Sequence, residues 1–155
     1  MQFPQTEGVV RPEWIDNNGH LNLAYYVVLF DLATDTMYEA LGLGQPYRER
    51  TTNSTFTAES HTIYEREVRV GERVRITSHL LGADAKRLHY FHEMFHAEHG
   101  HRVAAQELLA LHIDMRVRRT APFAPVLLER LQAVVRERGG APPPDGAGRR
   151  IAMPR

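Results

Sequence analysis

The feature that most constrains the fold is one long helical segment followed by four long runs of β-forming residues. From Asn22 to Leu41 the apolar side chains recur at spacings of three, four and seven, which predicts a helix with one broad buried face. The residues on that predicted face are Leu23, Tyr26, Val27, Phe30, Met37 and Leu41. Gly42 comes next, as is usual where a helix ends.

The four β-forming runs are separated by only a few residues. They are "STFTAESHTIYEREV", "ERVRITSHLLG", "KRLHYFHEMFHAEHG" and "RVAAQELLALHIDMRVR". Such short links predict antiparallel hairpins. Helix propensity alone also fits "QELLALHIDM", but its hairpin context and alternating apolar residues favour a strand. We also predict a short strand over 7–11 and a short surface helix over 125–138.

These elements predict an α+β fold in which a curved antiparallel sheet wraps around the helix. The other face and the edges of the sheet then need covering, which predicts a homodimer or a dimer of dimers. Residues 1–138 would form this single domain. Residues 139–155 are rich in Gly, Pro and Arg with little to bury, and we expect this tail to be disordered.

The composition argues against several classes of function. Lys and Arg together number 19, as do Asp and Glu, so the chain lacks the basic excess of a nucleic-acid-binding protein. It has no cysteine, which excludes disulfides, thiolate catalysis and cysteine-bound metals. Neither a signal peptide nor an apolar run of about 18 residues is recognisable. We therefore expect a cytoplasmic protein without a membrane partner.

A polar stretch, "DNNGH", directly precedes the predicted helix. One interpretation is structural: a turn leads into the helix, and Asn22 caps it. The other is catalytic. Free N–H groups at a helix start carry about half a positive charge and can hold an oxyanion. Gly19 would allow close approach, and Asp16 could act as base or nucleophile. The residues alone leave both interpretations open.

The motif D-x-x-G-H-L-N-x-x-x-Y resembles the hotdog-fold acyl-CoA thioesterases of the 4-hydroxybenzoyl-CoA thioesterase type. Further segments, "NGHLNLAYYVVLFDLATD", "AESHTIYEREV", "LLGADAKRLHYFHEM" and "ALHIDM", resemble the betainyl-CoA thioesterases found with carnitine dehydrogenase. The resemblance implies a hotdog fold and acyl-CoA hydrolysis, with coenzyme A as part of the substrate and no cofactor. It implies a catalytic Asp16, with Gly19 and His20 at the oxyanion site. Many relatives carry a further Asp where this chain has Trp14.

Other residues are candidates for binding the substrate. Glu59 and His61 share one face of a predicted strand, where Glu59 could orient water or bind a cationic acyl group, or simply be solvated.

Residues near the predicted helix are further candidates. Asn22 could cap the helix or bind near the thioester. Trp14 and Tyr25, and also Tyr26 and Tyr64, could offer aromatic faces to a trimethylammonium group. Core packing is the alternative for all four aromatic residues.

Two basic pairs, Lys86 with Arg87 and Arg118 with Arg119, could bind the phosphates of coenzyme A or be solvated strand ends. Several histidines lie between residues 89 and 101, but no HExxH motif accompanies them, and we predict no metal site.

Two alternatives to a thioesterase remain. One is a hydratase or dehydratase on the same fold, and the other is a noncatalytic acyl-CoA-binding module.

Overall fold

The computed structural model describes residues 1–153 and contains a six-stranded sheet and three α-helices among them. The strands are β1 Thr6–Val9, β2 Asn53–Tyr64, β3 Arg73–Ala83, β4 Arg87–His96, β5 Arg102–Asp114 and β6 Arg119–Thr120. The helices are α1 Leu23–Leu41, α2 Gln45–Thr51 and α3 Pro125–Arg136, and a 3-10 turn spans Pro12–Trp14. The four long strands and the long helix are thus confirmed.

The sheet is antiparallel throughout the described residues, in the order β1-β3-β4-β5-β2, with β6 added beside β5. Consecutive long strands β3, β4 and β5 form the predicted hairpins. The segment read either as helix or as strand lies within β5 and pairs with both β4 and β2. Within residues 1–153, strand β2 pairs only with β5, so one edge of its 12 residues is free.

Helix α1 begins where the sequence predicts. The side chain of Asn22 accepts the N–H of Ala24 at 3.0 Å and so caps the helix. Gly42 ends it in the left-handed conformation, with φ +73°. The expected burial was wrong for two residues, since Leu23 is 63% and Val27 41% exposed. The sheet covers only one side of the helix, and the periodicity does not reveal which apolar residues lie beyond its reach.

A polar group ties α1 to the sheet. His92 on β4 is fully buried, and its ring nitrogens contact the hydroxyls of Thr34 at 3.0 Å and Ser78 at 2.9 Å. Burial lowers the pKa of His92 to about 3, so the ring is neutral. Phe30 stacks on it at a centroid distance of 6.0 Å. The interface between helix and sheet is thus specified by hydrogen bonds as well as by apolar packing.

The two shorter helices close the end of the core near Leu41. Helix α3 is not only a surface helix, because Leu131 and Val134 are buried in the same cluster as Leu41. Helix α2 has no counterpart in the sequence prediction. Its Tyr47 shares a 2.8 Å hydrogen bond with Nε2 of His112 on β5.

The segment after α3 lies on the outer face of the sheet, opposite α1. Arg102 donates to the carbonyl of Asp145 at 2.8 Å, and the N–H of Gly148 donates to Glu107 at 2.7 Å. The domain boundary at 138 stays a prediction, and these hydrogen bonds attach to the sheet a tail that the sequence predicts to be disordered. Pro154 and Arg155 lie outside the described residues.

Candidate active site

The polar stretch before α1 forms a closed turn. Ile15 and Leu21 pair as an antiparallel bridge, and between them the N–H of Asp16 donates to the carbonyl of His20 at 3.1 Å. The N–H of Gly19 donates back to the carbonyl of Asp16 at 3.0 Å. Gly19 has φ +80°, a conformation that strains any other residue, so this turn requires glycine.

The carboxylate of Asp16 is fixed by this turn. One oxygen, Oδ1, accepts the N–H of Asn18 at 2.8 Å, and the side chain is partly buried. The second oxygen has no hydrogen-bond partner among residues 1–153. A carboxylate held on one side and free on the other can position a water molecule and remove its proton.

The donors for an oxyanion differ in their availability. The Gly19 N–H is already bound within the turn, and α1 starts only at Leu23, so Gly19 does not lie in its first turn. The N–H of His20 has no acceptor in the described part of the chain. The His20 ring contacts the Leu21 carbonyl through Nδ1 at 3.2 Å, which places the proton on that nitrogen. His20 thus offers a free backbone donor beside Asp16.

Asp16 and His20 line a cavity of about 380 Å³ at the start of α1. Its remaining walls are Asn18, Leu21, Leu23, Tyr26, Tyr64, Glu65, Arg66 and Glu67. The rings of Tyr26 and Tyr64 meet edge to face at 5.2 Å. Burial raises the pKa of Tyr26 to about 12, so this hydroxyl stays protonated. The cavity thus combines aromatic surface with three carboxylates and one guanidinium.

Trp14 and Tyr25 are not among the walls of this cavity. Their rings stack on each other at 5.4 Å, and the guanidinium of Arg11 lies 5.0 Å from the Trp14 ring centroid. The side chain of Asn22 is engaged in the helix cap. In the single chain, then, Tyr26 and Tyr64 contribute the aromatic surface beside Asp16, and Trp14 and Tyr25 pack against each other.

Glu59 and His61 line a different cavity, of about 610 Å³, on the outer face of the sheet. Arg87 lies in its wall and pairs with Asp84 at 2.5 Å, whereas Lys86 is exposed outside it. A single chain therefore does not bring Glu59 to Asp16.

The other basic pair lies outside both cavities. Arg118 is placed over the ring of Phe56 at 5.7 Å, and Arg119 lies in β6. The sequence analysis missed Glu107, Arg149 and Arg150 in the larger cavity. The adjacent Arg149 and Arg150 were the only signal in the sequence that could have indicated a site here.

Comparison with known families identifies the chain. The sequence model of the thioesterase-like superfamily matches residues 10–131. The chain belongs to this superfamily. The betainyl-CoA thioesterase of Pseudomonas aeruginosa is 38% identical over 148 residues, which cover 96% of this thioesterase and 93% of that protein. The L-carnitine dehydrogenase/betainyl-CoA thioesterase of Rhizobium meliloti is 30% identical over 94% of this chain but only 29% of its own length.

Solved structures agree with the family. The SAV2348 protein of Staphylococcus aureus, determined in complex with CoA, superposes with a TM-score of 0.88 at 27% identity, covering 99% of this chain and 96% of that one. A DHNA-CoA thioesterase of Staphylococcus aureus has a TM-score of 0.80 at 18% identity over 89% of this chain and 95% of its own, which shows the shared fold. The predicted hotdog fold and the predicted enzyme class, an acyl-CoA thioesterase, are confirmed.

Two findings concern other partners. Among residues 1–153 no group of His, Cys, Asp or Glu side chains is arranged to hold a metal ion. None of the helices described is long and apolar enough to cross a membrane. The absence of a cofactor and the cytoplasmic location stay predictions.

Proposed function

We propose that this thioesterase hydrolyses betainyl-CoA and that Asp16 activates the attacking water. The observation that carries the proposal is the cavity at the start of α1. There, a carboxylate with one free oxygen lies beside the aromatic rings of Tyr26 and Tyr64. The 38% identity to the betainyl-CoA thioesterase of Pseudomonas aeruginosa supports the choice of acyl group.

The walls of this cavity suit the betainyl group. Its trimethylammonium end is a permanent cation that cannot donate a conventional N–H or O–H hydrogen bond, so aromatic faces and carboxylates must recognise it. Tyr64 is 46% exposed, whereas Glu65 and Glu67, which follow it in the wall, already pair with Arg102 and Arg69. A cation over a tyrosine ring gains about 0.5–2 kcal/mol, more where water is excluded. We assign Tyr64 the largest share of this contact.

The proposed reaction needs only the groups of the turn and water. Asp16 takes a proton from the water, whose oxygen forms a bond to the thioester carbonyl carbon. The N–H of His20 donates to the oxyanion that develops, whereas the Gly19 N–H, which the sequence prediction also placed at this site, is already bound within the turn. The C–S bond then breaks, and the proton held by Asp16 passes to the sulfur of coenzyme A. The products are betaine and free coenzyme A, and coenzyme A enters only as part of the substrate.

Direct attack by Asp16 on the thioester is the mechanistic alternative. It would form a mixed anhydride that water then opens. A single turnover in H₂¹⁸O, combined with trapping by hydroxylamine, distinguishes the two routes. Label in the Asp16 carboxylate, or an acyl group trapped on Asp16, would support the anhydride. Because water can also open an anhydride at the acyl carbon, label in betaine alone supports attack by water only when no acyl group is trapped.

We further propose that the active enzyme is a homodimer or a dimer of dimers, in which Glu59 acts from the facing subunit. Strand β2 carries Glu59 and has a free edge, and residues 56–60 of this strand are exposed. On α1, Val28 and Leu32 belong to an apolar stripe and are 44% and 48% exposed. A free strand edge and an uncovered apolar stripe are the features that a second copy would cover.

The experiment is an assay of thiol release against a set of acyl-CoAs. We expect betainyl-CoA to be cleaved faster than tert-butylacetyl-CoA, the neutral molecule of the same shape. Equal rates would contradict the acyl assignment, and cleavage of no acyl-CoA would contradict the function. Water addition to an enoyl-CoA would favour the hydratase alternative, and binding without thiol release the noncatalytic module. We expect this activity in the cytoplasm.

A further inference from the structure

The segment 139–153 is attached to the outer face of the sheet by hydrogen bonds with strand residues. Arg102 donates to the carbonyl oxygen of Asp145 at 2.8 Å and contacts its carboxylate at 3.3 Å. Three residues later, the N–H of Gly148 donates to the carboxylate of Glu107 at 2.7 Å. These contacts join residues more than 40 positions apart and fix the path of the segment.

Close backbone contact between the two attachments reinforces this path. Gly146 has φ +94° and lies so near the sheet that a β-carbon there would be 2.9 Å from Cδ1 of Ile63 and 3.8 Å from the ring of Phe91. Phe91 is only 1% exposed although it points away from α1. The segment therefore covers apolar surface of the sheet as well as hydrogen-bonding to it.

The attached segment forms one wall of the cavity of about 610 Å³ that contains Glu59 and His61. Its contributions to that wall are Gly148, Arg149 and Arg150, and Arg87 is the other guanidinium in the cavity. This volume lies in the range of typical ligand pockets, about 300–1,000 Å³.

The charges of the cavity leave the two tail arginines available. Asp84 is engaged with Arg87 at 2.5 Å, and Glu107 accepts from His89 at 2.6 Å as well as from the tail. Neither Arg149 nor Arg150 forms an ion pair within the described part of the chain. Two adjacent guanidinium groups without ion-pair partners at a cavity wall have the chemistry that binds a polyanion.

We propose that Arg149 and Arg150, assisted by Arg87, bind the phosphate groups of the coenzyme A part of the substrate. This inference rests on the proposed function. Guanidinium groups present paired N–H donors that match phosphate oxygens. The same cavity contains Glu59, which we propose acts together with Asp16 of the facing subunit. The phosphates would therefore lie at one end of the larger cavity, and the thioester would extend from it towards the turn that carries this Asp16. The tail is then a substrate-binding element of the enzyme.

The experiment compares two thioesters of the same acyl group in the full-length enzyme. Acyl-CoA carries the phosphates, and acyl-pantetheine lacks all of them. For the double variant Arg149→Ala/Arg150→Ala we expect KM for acyl-CoA to rise about tenfold or more, since hydrogen bonds to charged groups are the strong ones. Its kcat for acyl-CoA and all its constants for acyl-pantetheine should stay within twofold of wild type. Free coenzyme A should bind more weakly in calorimetry, with 3′-dephospho-coenzyme A less affected.

A matched control is the double variant Arg48→Ala/Arg50→Ala, which removes two exposed arginines of α2 outside the cavity. It should leave KM for both thioesters unchanged. An unchanged KM for acyl-CoA in the tail variant, or an equal loss for both thioesters, would overturn the inference while the proposed function stands. A wild-type enzyme that cleaves neither thioester would overturn the proposed function itself. Thermal melting of every variant separates loss of binding from loss of folding.

Discussion

The Oδ1 atom of Asp16 accepts the backbone N–H of Asn18 at 2.8 Å. This hydrogen bond holds the carboxylate within the turn that precedes α1 and leaves its second oxygen free to bind water. An amide oxygen at the same position can accept the same N–H. The substitution Asp16→Asn therefore removes the carboxylate but keeps the hydrogen bond that holds the turn.

The aromatic surface of the smaller cavity should determine the preference for a cationic acyl group. For Tyr64→Leu we expect kcat/KM on betainyl-CoA to fall about 2- to 30-fold, the range given by a cation–π contact of about 0.5–2 kcal/mol. Hydrolysis of tert-butylacetyl-CoA should change less than twofold, since the neutral group loses no such contact. Tyr64→Phe keeps the ring and serves as the control. An equal loss on both substrates would show that Tyr64 has only a structural role.

The ion pairs on the outer face should contribute to stability. Arg102 is 13% exposed in its side chain and pairs with Glu65 at 2.5 Å and with Glu93 at 2.9 Å. Arg102→Ala leaves Glu65 without its guanidinium partner and Glu93 with His79 alone, and we expect the free energy of unfolding in urea to fall by about 2 kcal/mol. In Arg136→Ala, which removes an exposed pair, the loss should stay below about 0.5 kcal/mol. Similar losses in both variants would contradict this interpretation.

His92 should make the protein sensitive to acid. Its pKa is about 3 in the folded chain because of burial, against an ordinary value of 6.5, so the unfolded chain takes up this proton first. The free energy of unfolding is therefore unaffected above pH 6.5 and falls as the pH drops towards 3, by up to about 1.4 kcal/mol per pH unit. Burial also lowers the pKa of His112, which adds to the slope.

Urea unfolding at several pH values measures this dependence. His92→Gln keeps a donor and an acceptor but cannot titrate, so its stability should fall less steeply between pH 6 and 4. His99→Gln changes an exposed histidine and should keep the steepness of wild type. A slope in His92→Gln equal to that of wild type would show that the acid sensitivity arises elsewhere.

The apolar stripe on α1 should lie in an interface between copies. Leu32→Glu places a charge on this stripe, and we expect light scattering after size exclusion to show a smaller species than wild type, with most of the activity lost. Val126→Glu, at a position of α3 that is 85% exposed, is the control and should change neither. A monomeric wild type, or an unchanged association state in Leu32→Glu, would contradict the proposed assembly.

Much of the fold could be predicted because its elements have strong periodic patterns. Helix α1 and the four long strands followed from the spacing of apolar residues, and the alternation within β5 outweighed its helix propensity. The same patterns could not reveal that Leu23 and Val27 are exposed, because periodicity identifies an apolar stripe without identifying what covers it. Helix α2 is short and polar, with no stripe to detect.

The candidate site was predictable where its residues are close in sequence. The turn from Asp16 to His20 is a local motif, and the structure keeps its two ends in one cavity. The separation of Asp16 from Glu59 depends on tertiary structure, since one lies before α1 and the other on an edge strand. The role of Arg149 required knowing where the tail lies, and a segment rich in Gly and Pro has no pattern that predicts a long-range contact.

The central claim is that the free carboxylate oxygen of Asp16 performs the chemistry, and kcat of Asp16→Asn on betainyl-CoA tests it most directly. The amide keeps the hydrogen bond to Asn18, so we expect the melting temperature to stay near that of wild type. Loss of the base should lower kcat by about 10²- to 10⁴-fold. A folded Asp16→Asn enzyme with wild-type kcat would contradict the account.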